Sequence, residues 1–230
     1  GLFNRVLPEE GTAVINVDDP RGLDMAMIAG GRGQSVITVG KAEADIALMG
    51  QRFDATGQDM RFTFRGKAYQ TRLNLLGGFQ AENVLLAAGL AIACGAEPER
   101  VFEVLHELKG VRGRMQLAAT RENGAAVFVD YAHTPDAVAT ALQAMRPHVM
   151  GRLIVVVGAG GDRDAAKRPL MGQAAAENAD VVFVTDDNPR TEDPATIRTA
   201  VMQGAPEATE VDDRAKAILL AVDALQPGDT

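Results

Sequence analysis

The chain has 230 residues, 47% hydrophobic and 23% charged, enough for one large core or two modest ones. A formal net charge of -8 argues against nucleic acid as a partner but leaves room for a local basic patch that binds small anions. A single cysteine, Cys94, excludes a disulfide framework or a cysteine zinc site and suits a reducing cytoplasm; no apolar run nears the roughly 20 residues that span a bilayer, and Arg5, Glu9 and Glu10 interrupt any signal-peptide pattern at the start.

Residues 1–7 read as the end of a helix that begins without a cap, as expected of a piece of a longer chain. Residues 12–17 predict an apolar strand running into Asn16-Val17-Asp18-Asp19-Pro20. A short helix is expected over 23–29 and strands over 35–39 and 45–49. Residues 61–64 and 69–73 alternate around Arg65-Gly66-Lys67, a hairpin signal. Residues 83–94 predict a strongly apolar helix, with Cys94 buried in it. Residues 98–108 predict an amphipathic helix with Pro98 in its first turn. Lys109-Gly110-Val111-Arg112-Gly113-Arg114 then interleaves basic residues with glycines and reads as a linker. It places the domain boundary near Arg112, dividing 1–111 from 112–230.

The second half alternates regularly. Strands are expected over 125–129, 153–157 and 181–184, with a short fourth over 209–211. Helices are expected over 135–145, 165–178, 195–202 and 214–225. This rhythm predicts βαβ units and a parallel sheet, an α/β fold. Gly228-Asp229-Thr230 reads as a turn into one more strand.

Three of these strands end in dense polar motifs: Asp130-Tyr131-Ala132-His133-Thr134-Pro135, Gly158-Ala159-Gly160-Gly161-Asp162-Arg163-Asp164, and Asp186-Asp187-Asn188-Pro189-Arg190. Parallel strands joined by right-handed crossovers would bring all three ends to one edge, where ligands of open α/β sheets bind. Arg190 offers a planar fork suited to a carboxylate or phosphate, and Asn188 can donate and accept. The plainer reading of that last motif is an exposed turn, since Asp, Asn and Pro are turn formers. The glycine-rich turn at 158–161 could cradle an anion. It is not a dinucleotide fingerprint, because Arg163 stands at the third glycine position. His133 is the one histidine in a motif; His106 and His148 are expected at the surface. No G-x-x-x-x-G-K-[ST] occurs, since Gly40-Lys41 and Gly66-Lys67 are both followed by Ala.

Six motifs in order resemble the Mur ligases, ATP-dependent amide-forming enzymes of peptidoglycan synthesis, and within them the diaminopimelate-adding branch. They are Asn16-Val17-Asp18-Asp19, Leu76-Gly77-Gly78-Phe79-Gln80-Ala81-Glu82-Asn83, Gly113-Arg114-Met115-Gln116, Asp130 through Asp136, Gly160 through Asp164 with Lys167-Arg168-Pro169-Leu170-Met171, and Asp187-Asn188-Pro189-Arg190. The resemblance implies the C-terminal part of a central ATP-binding domain followed by a Rossmann-like parallel-sheet C-terminal domain, truncated at both ends. It implies that Asn83, Arg114 and Asp130, with His133 in the same motif, hold ATP. It implies that Asp187, Asn188, Pro189 and Arg190, with Arg163, recognise meso-diaminopimelate. Locally, Asn83 also reads as a helix cap and Arg114 as a linker charge.

The resemblance further implies ATP with Mg2+, UDP-MurNAc-L-Ala-D-Glu and meso-diaminopimelate as partners, a cytoplasmic location, and neither nucleic acid nor membrane insertion. Gln80 stands where the family usually has Asn. The phosphate-binding loop and modified lysine of the central domain would precede these residues, and a glycine-rich, Glu-containing motif would follow them, so the chain alone is expected to be inactive. Two alternatives stay open: a lysine-adding ligase of the same family, disfavoured by Asn188 and Arg190, and a non-catalytic nucleotide- or anion-binding α/β module.

Overall fold

A computed structural model describes residues 2–41 and 43–230, apart from the side chain of residue 4. It divides into two units, Gly1–Lys109 and Gly110–Thr230. In the first, a π-helical turn at Leu2–Val6 precedes a five-stranded sheet of order β1-β2-β3-β4-β5. Its strands are β1 (Thr12–Asn16), β2 (Ser35–Gly40), β3 (Ile46–Asp54), β4 (Gly57–Phe64) and β5 (Lys67–Leu73). β1 to β3 are parallel, and β3 to β5 form the antiparallel meander that the alternation around Arg65-Gly66 predicts.

Period-2 alternation gives this sheet two apolar faces. Ala13, Ile15 and Val36 belong with α1 (Gly22–Gly31), whose Ala29 is fully buried. Val14, Ile37 and Val39 belong with Val84, Leu85 and Ala88 of α2 (Phe79–Ala93). Gly89 lets α2 settle close to the sheet, since a Cβ there would lie 2.9 Å from Val14 Cγ1.

Two expectations change at α2. It begins at Phe79, so Asn83 lies a turn inside the helix and does not cap it. It ends at Ala93, so Cys94 is the exposed C-cap residue and not a buried one. Next, α3 (Pro98–Glu103) gives way to a 3-10 turn at Leu105–Glu107 and does not run on to residue 108. The tighter winding aligns side chains three apart, and Phe102 and Leu105 both join the core.

The second unit contains β6 (Gln116–Thr120), β7 (Ala126–Val129), α4 (Pro135–Met145), β8 (Ile154–Val157), α5 (Lys167–Asn178), β9 (Val181–Val184), α6 (Pro194–Met202), β10 (Thr209–Glu210) and α7 (Arg214–Asp223). Thr134, Asp193 and Asp213 each cap a helix by accepting a backbone N–H, and Pro opens α4 and α6. β10, β9 and β8 form a parallel sheet in that order. Ala217 and Ala221 of α7 cover the face carrying Ile154, Val156, Val181 and Phe183. His148 is 5% exposed, against the surface position expected for it. It closes a 3-10 turn, Arg146–His148, that draws the chain inward after α4.

One expectation fails here. Among the described residues β7 is not a strand of the parallel sheet; it pairs antiparallel with β6 in a separate two-stranded sheet. The turn at residues 121–125 closes this hairpin locally, with Arg121 N donating to Ala125 O at 2.8 Å. A cleft of about 280 Å³, lined by both β7 and β8, lies where the expected β7–β8 neighbourhood would be. Thr230 N donates to Arg152 O at 3.0 Å and Ile154 N donates to Thr230 O at 2.7 Å, a parallel pairing beside the start of β8.

Candidate functional site

The loops that leave β8 and β9 lock into one another. Gly161 N donates to Asn188 O at 2.8 Å, and Arg190 Nη1 donates back to Gly161 O. The Asp162 carboxylate accepts from Thr191 Oγ1 at 2.7 Å and from Thr191 N at 3.3 Å. Glu192 Oε1 accepts from Asp162 N at 2.6 Å and from Arg168 Nη2 at 2.7 Å. A Cβ on Gly161 would fall 1.9 Å from Pro189 O, so the contact requires glycine. Asp162 and Arg190 hold φ of 51° and 50°, a left-handed conformation that costs a non-glycine residue about 1–2 kcal/mol. Such residues persist where their surroundings over-determine them, and here each is tied to the opposite loop.

This interlock brings together Arg163, Asp187, Asn188, Pro189 and Arg190. Arg163, Asp187, Asn188 and Arg190 are exposed and Pro189 is half-buried. The neighbouring Asp186 is committed elsewhere: its carboxylate accepts from Arg198, whose Nε also donates to Glu210 Oε1 at 2.7 Å. Of the paired aspartates only Asp187 is turned outward. Two exposed guanidinium-bearing residues on interlocked loops suit a ligand rich in carboxylate.

Arg114, Asp130 and His133 form a second cluster. Asp130 accepts from Met115 N at 2.9 Å and from Ala132 N at 2.8 Å, tying the start of β6 to the turn after β7. The Arg114 guanidinium lies 5.2 Å from the centre of the Tyr131 ring, a cation–π contact, and the Tyr131 and His133 rings are 5.1 Å apart. His133 Nδ1 lies 3.0 Å from Tyr131 O; a carbonyl only accepts, so Nδ1 carries the hydrogen and Nε2 is left as an acceptor in the neutral ring. Asp130 and Arg214 both line the cleft beside β8, and Arg214 Nη1 donates to Asp186 O at 3.2 Å.

Asn83 belongs to the first unit. It is exposed on α2, just past the loop of Leu76, Gly77 and Gly78. Gln58, fully buried, holds that loop: its Nε2 donates to Gly77 O at 2.9 Å and to Leu75 O at 3.2 Å. Gln51 Nε2 donates to Gln58 Oε1 at 2.7 Å and to Gly78 O at 2.8 Å. Gln80, the departure from the family pattern, is half-buried in the first turn of α2, where its N donates to Gly77 O at 3.0 Å.

Gln58, Glu192 and Thr191 escaped sequence reasoning. Glu192 follows directly on the recognised motif, but no periodicity says that it reaches back to Asp162. Arg168 was visible only as part of a motif, and it is 5% exposed, not at the surface. Among the described residues no three His, Cys, Asp or Glu side chains group closely enough to hold a metal ion, and no helix is long and apolar enough to cross a membrane.

Two family models match the chain: the Mur ligase middle domain over residues 1–91 and the Mur ligase glutamate ligase domain over residues 113–230. The chain belongs to the Mur ligase family. It is 48% identical over 232 residues to the UDP-N-acetylmuramoyl-L-alanyl-D-glutamate–2,6-diaminopimelate ligase of Bradyrhizobium diazoefficiens, covering 99% of this chain and 48% of that protein. It is 46% identical over 228 residues to the ligase of the same name from Caulobacter vibrioides, covering 99% and 47%. A solved structure of a ligase of this name aligns with a TM-score of 0.70 at 34% identity, over 95% of this chain and 46% of that one. The chain thus spans about half the length of these relatives. The mixed α/β architecture, with its parallel sheet of β8, β9 and β10, is that of the family.

Proposed function

We propose that this chain carries the amino-acid acceptor half of an ATP-dependent amide ligase that adds meso-diaminopimelate to UDP-MurNAc-L-Ala-D-Glu in peptidoglycan synthesis, in the cytoplasm. The names of the relatives at 46% and 48% identity support the substrate pair. The observation that carries the reading is the interlock that puts Arg163 and Arg190 on joined loops at one edge of the parallel sheet. Diaminopimelate differs from lysine by one extra carboxylate. A site built around that group rejects the analogue lacking it, because its own polar groups are then left unpaired.

In this reading ATP phosphorylates the D-glutamate carboxylate to an acyl phosphate and leaves as ADP. The diaminopimelate amine attacks the acyl carbon, and phosphate departs as the amide forms. Arg163 and Arg190, with Asp187, Asn188 and Pro189, hold and orient the amino acid, so their contribution is positioning. Asn83, Arg114, Asp130 and His133 are assigned to the nucleotide, with the Arg114–Tyr131 stack as a flat, cationic surface for it. Magnesium would enter with the nucleotide's phosphates. Among the described residues no three His, Cys, Asp or Glu side chains group to hold a metal by themselves, so most of the magnesium's ligands would come from the nucleotide, water and residues outside this chain. These 230 residues contain no G-x-x-x-x-G-K-[ST] sequence, so the chain alone is inactive in this reading; phosphate release with all substrates present would overturn that.

The test is calorimetric titration of the chain with meso-diaminopimelate and with lysine. Diaminopimelate is expected to bind at least about a hundredfold more tightly. Equal binding, or tighter binding of lysine, would transfer the chain to a lysine-adding branch. No binding of either amino acid by the folded chain would favour a non-catalytic α/β module.

A further inference from the structure

We infer that Arg168 and Glu192 are positioning residues: an ion pair, buried on its arginine side, that holds the two acceptor loops in register and so sets Arg163 and Arg190 without touching the amino acid. The inference rests on the acceptor-site reading for its functional arm and on geometry alone for its structural arm. Arg168 is 5% exposed, and arginine is almost never that buried unless paired. Its Nη2 meets Glu192, while its Nε is buried without a partner.

A guanidinium buried with one donor unmet is a costly way to fill space. What it gains is the placement of Glu192. One oxygen of that carboxylate takes both Arg168 and Asp162 N, and Asp162 in turn takes both donors of Thr191. The chain of contacts therefore runs from the first turn of α5, to the start of the segment before α6, to the loop after β8, and back. Its two left-handed residues, Asp162 and Arg190, sit next to or at the arginines that would meet the ligand. The other charged groups facing these loops are Asp162 and Arg190 within the interlock, Arg198 and Arg214 at Asp186, and the Asp164–Lys167 pair at the start of α5. Neither Arg168 nor Glu192 is among the residues assigned to the amino acid.

The test uses amide hydrogen exchange of the whole chain, with Gly161 N and Thr191 N as reporters, because their acceptors are Asn188 O and Asp162 and neither is altered by the variants. In Arg168→Met and in Glu192→Gln these two amides are expected to exchange roughly tenfold or more faster, while the amides of β8 and β9 keep their wild-type rates. Unchanged reporter rates, or rates that rise only together with those of the sheet, would overturn the inference. Arg168→Met with Glu192→Leu removes both charges at once. Recovered thermal stability with still-fast reporters supports positioning; recovery of both reduces the pair to mutual charge compensation. Glu192→Gln keeps an acceptor for Asp162 N and guards against a variant that does not fold.

The same variants are titrated with meso-diaminopimelate, where affinity is expected to fall roughly tenfold to a hundredfold. Wild-type affinity in both single variants would overturn the inference. If the unaltered chain fails to bind the amino acid, the acceptor-site reading falls, and the exchange rates still decide whether the clamp exists.

Discussion

Each unit buries a polar side chain under a loop at or beside its candidate residues, but one uses a neutral amide and the other a charge. Gln58 is 0% exposed and holds the loop before Asn83 by donating to two carbonyls and accepting from Gln51. Arg168 is 5% exposed and acts through one carboxylate, Glu192. An amide loses little on leaving water if its hydrogen bonds are replaced, and it binds the same way at any pH. A buried guanidinium costs more and depends on its partner staying ionised. The costlier device lies beneath the loops with two left-handed non-glycine residues, which need the firmer hold.

The largest expected effect comes from glycine. In the second unit a Cβ on Gly161 would fall 1.9 Å from Pro189 O, a backbone atom that cannot swing aside. In the first unit a Cβ on Gly78 would meet the Phe53 ring at 3.4 Å, an ordinary contact, and Gly78 has a helical φ of -59°. Gly161→Ala is therefore expected to lower stability by about 3 kcal/mol or more and to abolish diamino acid binding at attainable concentrations. Gly78→Ala is expected to stay within about 1 kcal/mol of the unaltered chain. Thermal unfolding of the two variants side by side measures this. Equal, small losses would mean that the two loops are not locked as the backbone geometry demands.

Next comes Gln58→Leu. It removes the buried donor to Leu75 O and Gly77 O and the acceptor for Gln51 Nε2, leaving Gly77 O its bond from Gln80 N and Gln51 its bond to Gly78 O, at an expected cost of about 2–3 kcal/mol. Arg168→Met is expected to cost less, because the Glu192 side chain left behind is still 33% exposed and can be hydrated. Urea midpoints at an unchanged m-value give the ranking. A greater loss from Arg168→Met would place the main structural burden on the charged pair.

The two devices were unequally legible in the sequence. Most strands and helices of both units follow from apolar alternation, helix spacing and caps such as Thr134, Asp193 and Asp213; β6, fully exposed along Gln116–Thr120, was not among the expected strands. The motifs at Asp130, Gly158 and Asp187 were visible because polar runs directly follow apolar strands. What stayed hidden depended on contacts across the chain. Sheet membership of β7 hinges on whether its partner is β6 or β8, and its short apolar run fits either. Gln58 lies near the start of β4, outside the strand expected over 61–64, on the same face as Met60 and Phe62, and only the carbonyls of a loop 17 and 19 residues later explain how an amide is satisfied there. Glu192 reads as an ordinary first-turn carboxylate before α6 until its contacts 24 and 30 residues back are known. Cys94 and His148 went the other way, since a single residue at a helix end changes exposure with a half-turn of backbone.

The smallest effect is the most diagnostic, because it turns on acidity alone. The Arg168 guanidinium, followed by the Asp162 N–H, holds the Glu192 carboxyl below the usual glutamate range. A group whose pKa is depressed on folding contributes its stabilisation in full above its unfolded value, about 4.3 for glutamate, and loses it as the pH falls through the folded value. Gln58 has no proton to gain. Between neutral pH and the acid side of the carboxylate range, the amides of Gly161 and Thr191 are therefore expected to lose protection, while those of Gln80 and Ala81, which donate to Gly77 O and Gly78 O, keep theirs. Glu192→Gln cannot titrate, so in that variant the reporters should start faster at neutral pH and then change little on acidification. If the acid response survives in Glu192→Gln, another carboxylate governs it. Asp162, which binds Thr191 directly, would then be the group that holds the loops, with Arg168 and Glu192 reduced to its support.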